Sequence, residues 1–415
     1  AFHIASTGRH GPVLIDIPKD IQTTKTKPKK PGPVKLPGYS PVIKGHPKQI
    51  EAIVRAVQAA HRPVIYAGGG VVGSGASRPL RELVQKTRIP ITTTLMAKGV
   101  YPEDDELHLG MLGMHGTKYA NHTIYESDLI LAMGVRFDDR VAGDVSRFAP
   151  LAKIIHIDVD PAEIGKRVGV DIPIVGDLKS ILTMLNERLE TQARASWLDR
   201  VAAWKRQYPL TFKDDGTLKP QLIIKTLSDL TRGEIIVTTD VGQHQMWAAQ
   251  YYVSTEPRRF ITSGGLGTMG YGFPAALGAQ VGCPDRTVVC LTGDGSFQMC
   301  IQELATARQY NLPVKIFIFN NGCLGMVRQW QQFFCEGRYS STVWDFCPDF
   351  CKIAEGYDLP AFRVTEAGQV REAVDRALGT DGPVLVDFQV APEENVMPMI
   401  PAGKGQTDFF DEDED

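Results

Sequence analysis

Two short polar stretches stand at the ends of apolar runs, where side chains could do chemistry. Gly293–Ser296 follows the apolar run 287–292, and Asn320–Asn321 follows the apolar run 314–319. Residues 298–310 between them have the pattern of a helix, so we predict one strand–helix–strand crossover with parallel strands. Because parallel strands end at the same edge of a sheet, the two polar stretches should lie side by side.

This predicted edge suits a divalent cation and a diphosphate. Asp294 supplies a charged oxygen, Asn321 supplies a neutral one, and the irregular backbone beyond Asn321 can add a carbonyl oxygen. A helix that begins beside them offers N–H groups to phosphate. Either stretch alone would indicate only a turn or a strand end, whereas the two together favour a binding site.

Length and composition set the broad class. A chain of 415 residues is expected to form two or three domains. Its 43% hydrophobic and 22% charged residues are typical of a globular protein. The net charge of -3 gives no reason to expect a nucleic acid or a membrane as partner, and no apolar run is long enough to span a bilayer. The seven cysteines have neither disulfide-framework nor zinc spacing, which favours reduced thiols.

Apolar strands alternate with helical stretches in two parts of the chain. This alternation predicts an α/β fold with two doubly wound parallel-sheet domains, at 46–190 and 220–392. The segment 25–45 is rich in Pro, Lys and Gly and reads as a linker. The segment 191–219 is interpreted as a second linker, with a polar, Trp-bearing helix predicted at Ala195–Gln207.

The two ends of the chain are read separately. Residues 1–24 look like the remnant of a third, N-terminal α/β domain, with a strand predicted at Val13–Ile17. Residues 393–415 are interpreted as a C-terminal tail. Its last part, 408–415, is strongly acidic, so we expect it to be frayed and solvated.

The first α/β domain carries a glycine-rich loop at Gly68–Gly73. It matches G-x-G-x-x-G, but a nicotinamide dinucleotide fold needs an acid at the end of the next strand, and that strand ends in Thr92–Thr94. We therefore disfavour NAD. The glycines are compatible either with a tight turn alone or with close approach of the backbone to another ligand.

Other polar groups of this domain favour the second alternative, a bound ligand. Arg136–Arg140 contains two arginines and two aspartates directly after an apolar strand, which is either a surface ion-pair cluster or a grip on a diphosphate and hydroxyl groups. Leu112–Gly116 is a glycine-broken loop. Asp158 and Asp177 are acids at strand ends, and Asp158 stands where doubly wound folds place a ribose-binding acid.

In the second domain, Gln243 and His244 follow the predicted strand 234–239 and should face the same edge as Asp294, although a lone histidine is often only structural. The run Ser263–Pro274 is rich in glycine, which allows a flat cofactor to lie against the backbone. Met269 within it is either a core residue or a wedge under a bent cofactor.

Met326 and Trp330 are four residues apart in the stretch that follows Asn321. They share one face if this stretch is helical. That face is either ordinary core or the apolar wall of a substrate pocket.

Taken jointly, these motifs resemble the acetohydroxyacid synthase (acetolactate synthase) family of thiamine diphosphate enzymes, over essentially the whole chain. The resemblance rests on Gly8–Pro12, Asp16–Asp20, Leu112–Gly116, Arg136–Arg140, Gly264–Gly270, Gly293–Ser296 and Asn320–Trp330. It implies thiamine diphosphate, Mg²⁺ and FAD as cofactors. It also implies decarboxylating condensation of pyruvate with a second 2-oxoacid, pyruvate or 2-oxobutanoate, in branched-chain amino-acid biosynthesis.

The resemblance assigns roles by position. Catalytic roles fall to Gln243, His244 and Met269. The metal ligands are Asp294, Asn321 and the backbone oxygen of Cys323. Thiamine diphosphate contacts are Gln243, His244, Gly267, Met269, Asp294, Gly295, Ser296, Asn321 and Leu324. FAD contacts are Arg9, Gly69, Thr94, Leu95, Leu112, Met114, His115, Gly134, Arg136, Asp138, Asp139, Arg140, Asp158 and Asp177. The substrate channel takes Lys19, Met326 and Trp330.

The same resemblance raises an expectation about the N-terminus. In the family an N-terminal domain supplies a glutamate that protonates the cofactor across a subunit interface, and residues 1–20 match only the last stretch of that domain. We therefore expect this glutamate to be absent from the chain and the chain to be inactive alone.

The resemblance also bears on partners and on rival functions. Expected partners are 2-oxoacid substrates, further copies in a homodimer or homotetramer, and a regulatory small subunit. A bacterial protein is expected in the cytoplasm, with an organelle left open. Two alternatives are an FAD-dependent enzyme of the pyruvate oxidase type and a non-catalytic FAD-binding fragment.

Overall fold

The computed structural model describes residues 1–30 and 32–410, and within them the chain builds two six-stranded sheets. The first has the order β3-β2-β1-β4-β5-β6, with every pair parallel. Its strands are β1 (Pro63–Ala67), β2 (Ile91–Thr93), β3 (His108–Met111), β4 (Leu129–Met133), β5 (Lys153–Asp158) and β6 (Ile172–Val175). The strand order reverses between β1 and β4, which is where a doubly wound sheet opens a ligand crevice.

The second sheet has the order β11-β12-β10-β9-β7-β8, again with parallel pairs. Its strands are β7 (Ile236–Thr239), β8 (Phe260–Thr262), β9 (Val288–Gly293), β10 (Lys315–Asn320), β11 (Ala361–Val364) and β12 (Val384–Gln389). β9 and β10 are neighbours, as the sequence predicts. The α/β class and the two parallel-sheet units are therefore confirmed.

Helices cover both faces of the sheets. They are α1 (Phe2–Ala5), α2 (Lys19–Thr23), α3 (Pro47–Ala59), α4 (Gly69–Gly73), α5 (Ser77–Thr87), α6 (Lys118–Glu126), α7 (Asp139–Ala142), α8 (Leu178–Arg188), α9 (Ala195–Gln207), α10 (Pro220–Thr231), α11 (Gln243–Tyr251), α12 (Gly272–Gly282), α13 (Asp294–Gln298), α14 (Leu304–Gln309), α15 (Gly325–Phe334), α16 (Phe350–Gly356) and α17 (Val370–Gly379). The central strand β4 is apolar and buried at every position, as expected for a strand of a parallel sheet that is covered on both faces.

The crossover between β9 and β10 differs from the predicted single helix over 298–310. The helix α13 begins at Asp294 and ends at Gln298, and Cys300, with a φ of -139°, lies outside the helical region. A 3-10 turn at Ile301–Glu303 then leads into α14. The prediction of one helix is wrong because Phe297, Cys300 and Leu304 keep a helical spacing of buried residues across the break.

The predicted strand at Val13–Ile17 is also wrong. The segment has no strand assignment, and its large apolar side chains are exposed, Leu14 at 95%. A β-strand needs a neighbouring strand to satisfy its backbone N–H and C=O groups, and the described chain supplies none there. Residues 1–24 touch the first unit through Arg9, which pairs with Asp160 at 3.0 Å and Glu163 at 2.9 Å.

The C-terminal tail is not frayed as far as residue 410. It returns to the first unit, where the Ile400 N–H donates to the Met114 carbonyl at 2.8 Å and Arg147 pairs with Asp408 at 2.5 Å. The expectation of a frayed acidic end is therefore wrong for 408–410, because an arginine and an apolar surface receive this part. Residues 411–415 lie outside the described chain.

The segment 191–219 contains α9, which packs Trp197, Val201 and Trp204 into the core of the first unit. The structure has the helix predicted at Ala195–Gln207 with the same bounds. No helix within the described residues is both long and apolar enough to cross a bilayer.

Candidate functional site

A cleft of about 1230 Å³ opens between the two units, at the carboxyl ends of both sheets. Loops that follow strands of both sheets line it, including Gly68 after β1, Gly134 after β4, Val241 after β7 and Asn321 after β10. Parallel α/β sheets bind ligands at this edge. Every residue that the sequence assigns to a cofactor contact lines this cleft, as do Met326 and Trp330.

Asp294 and Asn321 lie together at one end of the cleft. Asp294 is 2% exposed, and its two carboxylate oxygens accept the N–H groups of Gly295 at 3.0 Å and Gly322 at 2.9 Å. The Asn321 Oδ1 accepts the Cys323 N–H at 3.2 Å. The Gly322 bond fastens the loop after β10 to the carboxylate at the end of β9, so both side chains serve one site.

Burial raises the pKa of Asp294 to about 7, although the Gly295 and Gly322 N–H groups oppose the shift. A desolvated carboxylate is costly unless a cation or donors neutralise it, and a divalent ion would do so. No cluster of three His, Cys, Asp or Glu side chains suited to a metal occurs in the described part of the chain. The site thus offers one carboxylate, one carboxamide and main-chain oxygens, a donor set that suits Mg²⁺ rather than zinc.

Gln243, the first residue of α11, connects this end of the cleft to its surroundings. Its Nε2 donates to Gln329 Oε1 and to the Glu394 carbonyl, both at 2.9 Å, and its Oε1 accepts from Asn321 Nδ2 at 3.4 Å. A Cβ at Gly325 would lie 2.0 Å from Gln243 Oε1. The glycine at 325 therefore gives Gln243 the room to reach Asn321.

His244 is buried, stacks on Phe319 with ring centroids 6.4 Å apart, and lines the cleft. Burial lowers its pKa to about 3, so the ring is neutral near pH 7. Its Nε2 has no hydrogen-bond partner within the described residues. A buried polar atom without a partner at the wall of a cleft indicates a ligand that completes it.

The glycine-rich run Ser263–Pro274 of the second unit brings Gly267 and Met269 to the wall of the cleft. Gly267 has a φ of +75°. On the other side, Gly295 admits Leu324, since a Cβ at 295 would lie 2.9 Å from Leu324 Cδ2. The Ser296 hydroxyl donates to the Val241 carbonyl at 3.0 Å. Gly267, Met269, Gly295, Ser296 and Leu324 therefore all belong to the lining of the same cleft.

Met326 and Trp330 lie on α15 and both line the cleft, so they belong to its wall. Lys19 is not brought to it. It begins the exposed helix α2 and is not among the cleft-lining residues. Its predicted place near the substrate channel stays a prediction.

The glycines of the first unit are explained by the chain itself. A Cβ at Gly68 would lie 2.2 Å from the Gly134 carbonyl oxygen, and one at Gly70 would lie 2.6 Å from Gly134 Cα. The loops after β1 and β4 therefore approach each other backbone to backbone. At Gly68 and Gly70 the close neighbour is therefore the Gly134 loop, and approach of this backbone to a ligand stays a prediction.

The charged run after β4 forms ion pairs at the cleft. Arg136 pairs with Asp138 and Arg140 pairs with Asp139, each at 3.3 Å, and all four side chains are 41–62% exposed. Such exposed pairs contribute little stability. Both arginines line the cleft, so their donors can turn toward an anionic ligand.

Two further groups in the first unit lack partners. Thr94 Oγ1 and His115 Nε2 are buried at the cleft without a hydrogen-bond partner among the described residues. Burial lowers the pKa of His115 to about 4 and raises the pKa of Asp158 above its ordinary value. These groups are suited to a polar ligand such as the one the sequence assigns to this end.

The sequence did not identify Gln329 and Asp240, which do not line the cleft but hold residues that do. Gln329 is fully buried, holds Gln243, and accepts the Val396 N–H at 2.8 Å, which ties the tail to the site. Asp240, at the end of β7, is also fully buried and holds Gly270. The position of Asp240 directly after an apolar strand and the amide of Gln329 within the amphipathic helix α15 were signals, but the partners of both residues lie far away in sequence.

Comparisons with known proteins agree with this geometry. The model of the thiamine pyrophosphate enzyme central domain matches residues 50–185, and the model of the C-terminal TPP binding domain matches residues 240–388. The chain is 48% identical to the acetolactate synthase large subunit of Corynebacterium glutamicum, over 100% of this chain and 70% of that protein. The chain belongs to the acetolactate synthase large subunit family.

Other members of the acetolactate synthase family are equally similar. A probable acetolactate synthase large subunit of Methanococcus aeolicus is 47% identical over 99% of this chain and 72% of its own length. Acetolactate synthase 1, chloroplastic, of Zea mays is 48% identical over 99% of this chain and 66% of its own length. The family resemblance inferred from the motifs is therefore confirmed.

Proposed function

We propose that the protein acts as an acetolactate synthase. It would catalyse the condensation of pyruvate with a second 2-oxoacid, a reaction that releases carbon dioxide and belongs to branched-chain amino-acid biosynthesis. The observation that carries this proposal is the pairing of Asp294 and Asn321 at the ends of neighbouring parallel strands, in one cleft, in a chain of this family. The second 2-oxoacid is taken to be pyruvate or 2-oxobutanoate.

Mg²⁺ would be held by Asp294, by Asn321 Oδ1 and by the backbone oxygen of Cys323. The thiamine diphosphate site would comprise Gln243, His244, Gly267, Met269, Gly295, Ser296 and Leu324. The buried carboxylate and the unpartnered His244 Nε2 support this fit. Thiamine diphosphate, when bound, supplies the carbanion chemistry of 2-oxoacid decarboxylation and condensation.

The protein's own residues then bind, orient and exclude water. Gln243, fixed by Gln329, presents its carboxamide beside Asn321 and would orient the diphosphate end. Met269 would support the cofactor from the glycine-rich loop. Met326 and Trp330 would form the apolar wall that keeps water from the reacting atoms.

FAD would occupy the other end of the cleft. Arg136 and Arg140 would meet its diphosphate, and Thr94, His115 and Asp158 would supply polar contacts. The remaining predicted contacts are Arg9, Gly69, Leu95, Leu112, Met114, Gly134, Asp138, Asp139 and Asp177, all of which line the cleft. We infer a structural role for the flavin, which the condensation does not oxidise or reduce.

Two observations support the proposed partner subunits. Leu266 and Val327 line the cleft yet are 91% and 49% exposed, which supports coverage by a second copy in a dimer or tetramer. Several relatives are named large subunits, and on that ground we propose a smaller regulatory subunit. The compartment stays a prediction, because relatives include bacterial proteins and chloroplastic ones.

The test is acetolactate formation from pyruvate by the protein as its complete reading frame encodes it. We expect activity that requires both thiamine diphosphate and Mg²⁺. Rapid stoichiometric bleaching of the flavin by pyruvate without oxygen would instead support a pyruvate oxidase. A yellow protein that makes no acetolactate under any cofactor condition would favour a non-catalytic FAD-binding protein.

A further inference from the structure

Asp240 is a fully buried carboxylate that the proposed chemistry does not use. It follows β7, and its Oδ1 accepts the N–H groups of Gly270 at 2.7 Å and Val241 at 3.2 Å. Its Oδ2 accepts the Thr292 hydroxyl at 3.2 Å. Burying a carboxylate is unfavourable, so the reason for an acid at this position lies in what it holds.

These bonds join three segments that are distant in sequence. The Asp240 main-chain N–H donates to the Leu291 carbonyl at 2.9 Å, which fixes the residue to the sheet. The Thr292 bond adds the end of β9. Through its Oδ1 the carboxylate then fixes Gly270, at the far end of the glycine-rich loop Ser263–Gly270, relative to both strand ends.

The glycine-rich loop depends on such anchors. Residues 264–268 are exposed, and both Gly267 and Gly270 have positive φ, at +75° and +85°. A loop of this composition loses much conformational entropy when it is ordered. Gln245 holds its first end by donating to the Ser263 carbonyl at 3.2 Å, and Asp240 holds its last end, next to Met269.

We propose that Asp240 is a positioning residue that fixes Gly270 and thereby places Met269 at the wall of the cleft. Asp240 itself does not line the cleft, so it acts through the loop. The consequence for catalysis rests on the proposed function. A shift of about 1 Å in a group that supports the reacting geometry can cost on the order of 100-fold in rate.

Two variants separate the hydrogen bond from the charge. Asp240→Ala removes the acceptor of the Gly270 N–H. In Asp240→Asn, the amide oxygen still accepts the Gly270 N–H, and the new NH₂ group faces the Thr292 hydroxyl. That hydroxyl can then accept from the NH₂ group and donate to the Gly293 carbonyl, which is 3.3 Å away. In the holoenzyme with thiamine diphosphate, Mg²⁺ and FAD, we expect kcat to fall about 10- to 100-fold in the alanine variant and to stay within about threefold of wild type in the asparagine variant.

A matched control removes a buried hydrogen bond far from the cleft. Ser228 is buried, and its hydroxyl accepts the Val253 N–H at 3.0 Å. Ser228→Ala should lower the melting temperature without changing kcat or the KM for pyruvate. Asp240→Ala should lower kcat with little change in the calorimetric affinity for thiamine diphosphate. Equal kcat in Asp240→Ala and wild type, or equal losses in both Asp240 variants, would overturn the proposal.

Hydrogen exchange gives a readout that does not need activity. In the cofactor-free wild type and in Asp240→Asn, the Gly270 amide should exchange at least about tenfold more slowly than the Leu266 amide of the same loop. Equal exchange of the two amides in wild type overturns the role of Asp240 even if Asp240→Ala does not fold. Slow exchange at Gly270 in a wild-type protein that makes no acetolactate would leave Asp240 as the loop anchor and reject the proposed function.

Discussion

The two six-stranded units have the same parallel architecture but present different surroundings at their carboxyl ends. In the second unit, Asp294, Gln243 and His244 are only 2%, 3% and 6% exposed. In the first unit, the charged side chains of Arg136 and Arg140 are 49% and 62% exposed and pair with their own neighbours. One end is a desolvated site with a single carboxylate, and the other is an open site with several balanced charges.

This difference suits the two ends of the cleft to the two chemically different ligands that we propose for them. A buried carboxylate has a strong need for a cation, because few water molecules remain to solvate it. Exposed arginines are already solvated and paired, so a ligand gains less from each of them. Removal of one side chain should therefore have a larger effect at the thiamine diphosphate end than at the proposed FAD end.

The largest effect should follow from Asp294→Ala. The variant removes the only charged ligand proposed for Mg²⁺, and loss of even an indirect metal partner typically costs about 10- to 100-fold in metal affinity. We expect at least about a 100-fold weaker Mg²⁺-dependent binding of thiamine diphosphate by calorimetry. FAD content should not change.

Asp285→Ala is the matched control, because Asp285 is an exposed aspartate near the amino end of the same strand, β9. It should bind thiamine diphosphate like the wild type. If Asp294→Ala bound thiamine diphosphate as tightly as the wild type, both the proposed metal site and the proposed difference between the two ends of the cleft would be wrong.

A smaller effect should follow from Gly325→Ala. The new Cβ would lie 2.0 Å from Gln243 Oε1 and 2.6 Å from Asn321 Nδ2, and both side chains must move. We expect thiamine diphosphate to bind about tenfold more weakly, the equivalent of one lost hydrogen bond. In Gly278→Ala, on α12, nothing lies within 4 Å of the new Cβ. Equal cofactor affinities in the two glycine variants would contradict the crowding at this end.

At the FAD end, Arg136→Ala should weaken flavin retention by only several-fold, less than about tenfold, because the guanidinium is half exposed. Flavin content after gel filtration measures this. Arg147→Ala is the control, since Arg147 pairs with Asp408 and does not line the cleft. A loss of 100-fold or more in Arg136→Ala would show that this end is as desolvated as the other.

The smallest effect concerns stability alone and a buried group away from the cleft. Burial lowers the pKa of His108 to about 3 in the folded chain, from an ordinary value near 6.5. Between these values the unfolded chain binds a proton that the folded chain does not. The free energy of unfolding therefore falls as the pH drops below about 6.5, by about 1.4 kcal/mol per pH unit for this group.

His108→Gln should remove this contribution. Its melting temperature should fall less steeply than that of the wild type between about pH 6.5 and pH 5.5, a difference of about 2–4 °C. If the melting temperatures of the two proteins fall equally with pH over this range, His108 takes up a proton in the folded state.

The sequence was sufficient for those parts of the site that adjoin their own strand. Asp294 and Asn321 follow β9 and β10 directly, so the rule that parallel strands end at one edge was enough to bring them together. The α/β class followed from the alternation of apolar strands and helical stretches. The resemblance to the family then supplied the identity of the ligands.

What the sequence did not reveal depends on contacts between distant segments. Gln329 meets Val396, 67 residues away, and Asp240 meets Gly270, 30 residues away, with no periodic signal to link them. The break in the crossover at Cys300 was hidden because its buried residues keep helical spacing. The docking of residues 408–410 was missed because an acidic run looks solvated until an arginine such as Arg147 is placed beside it.

The most direct test of the central claim is a crystal structure of the protein with thiamine diphosphate and with Mn²⁺ in place of Mg²⁺, which makes the ion visible by anomalous scattering. The predicted result is one peak within about 2.5 Å of an Asp294 oxygen and of Asn321 Oδ1, next to the diphosphate. A cofactor bound with no metal peak between these two side chains, or with its diphosphate at the other end of the cleft, would contradict the account.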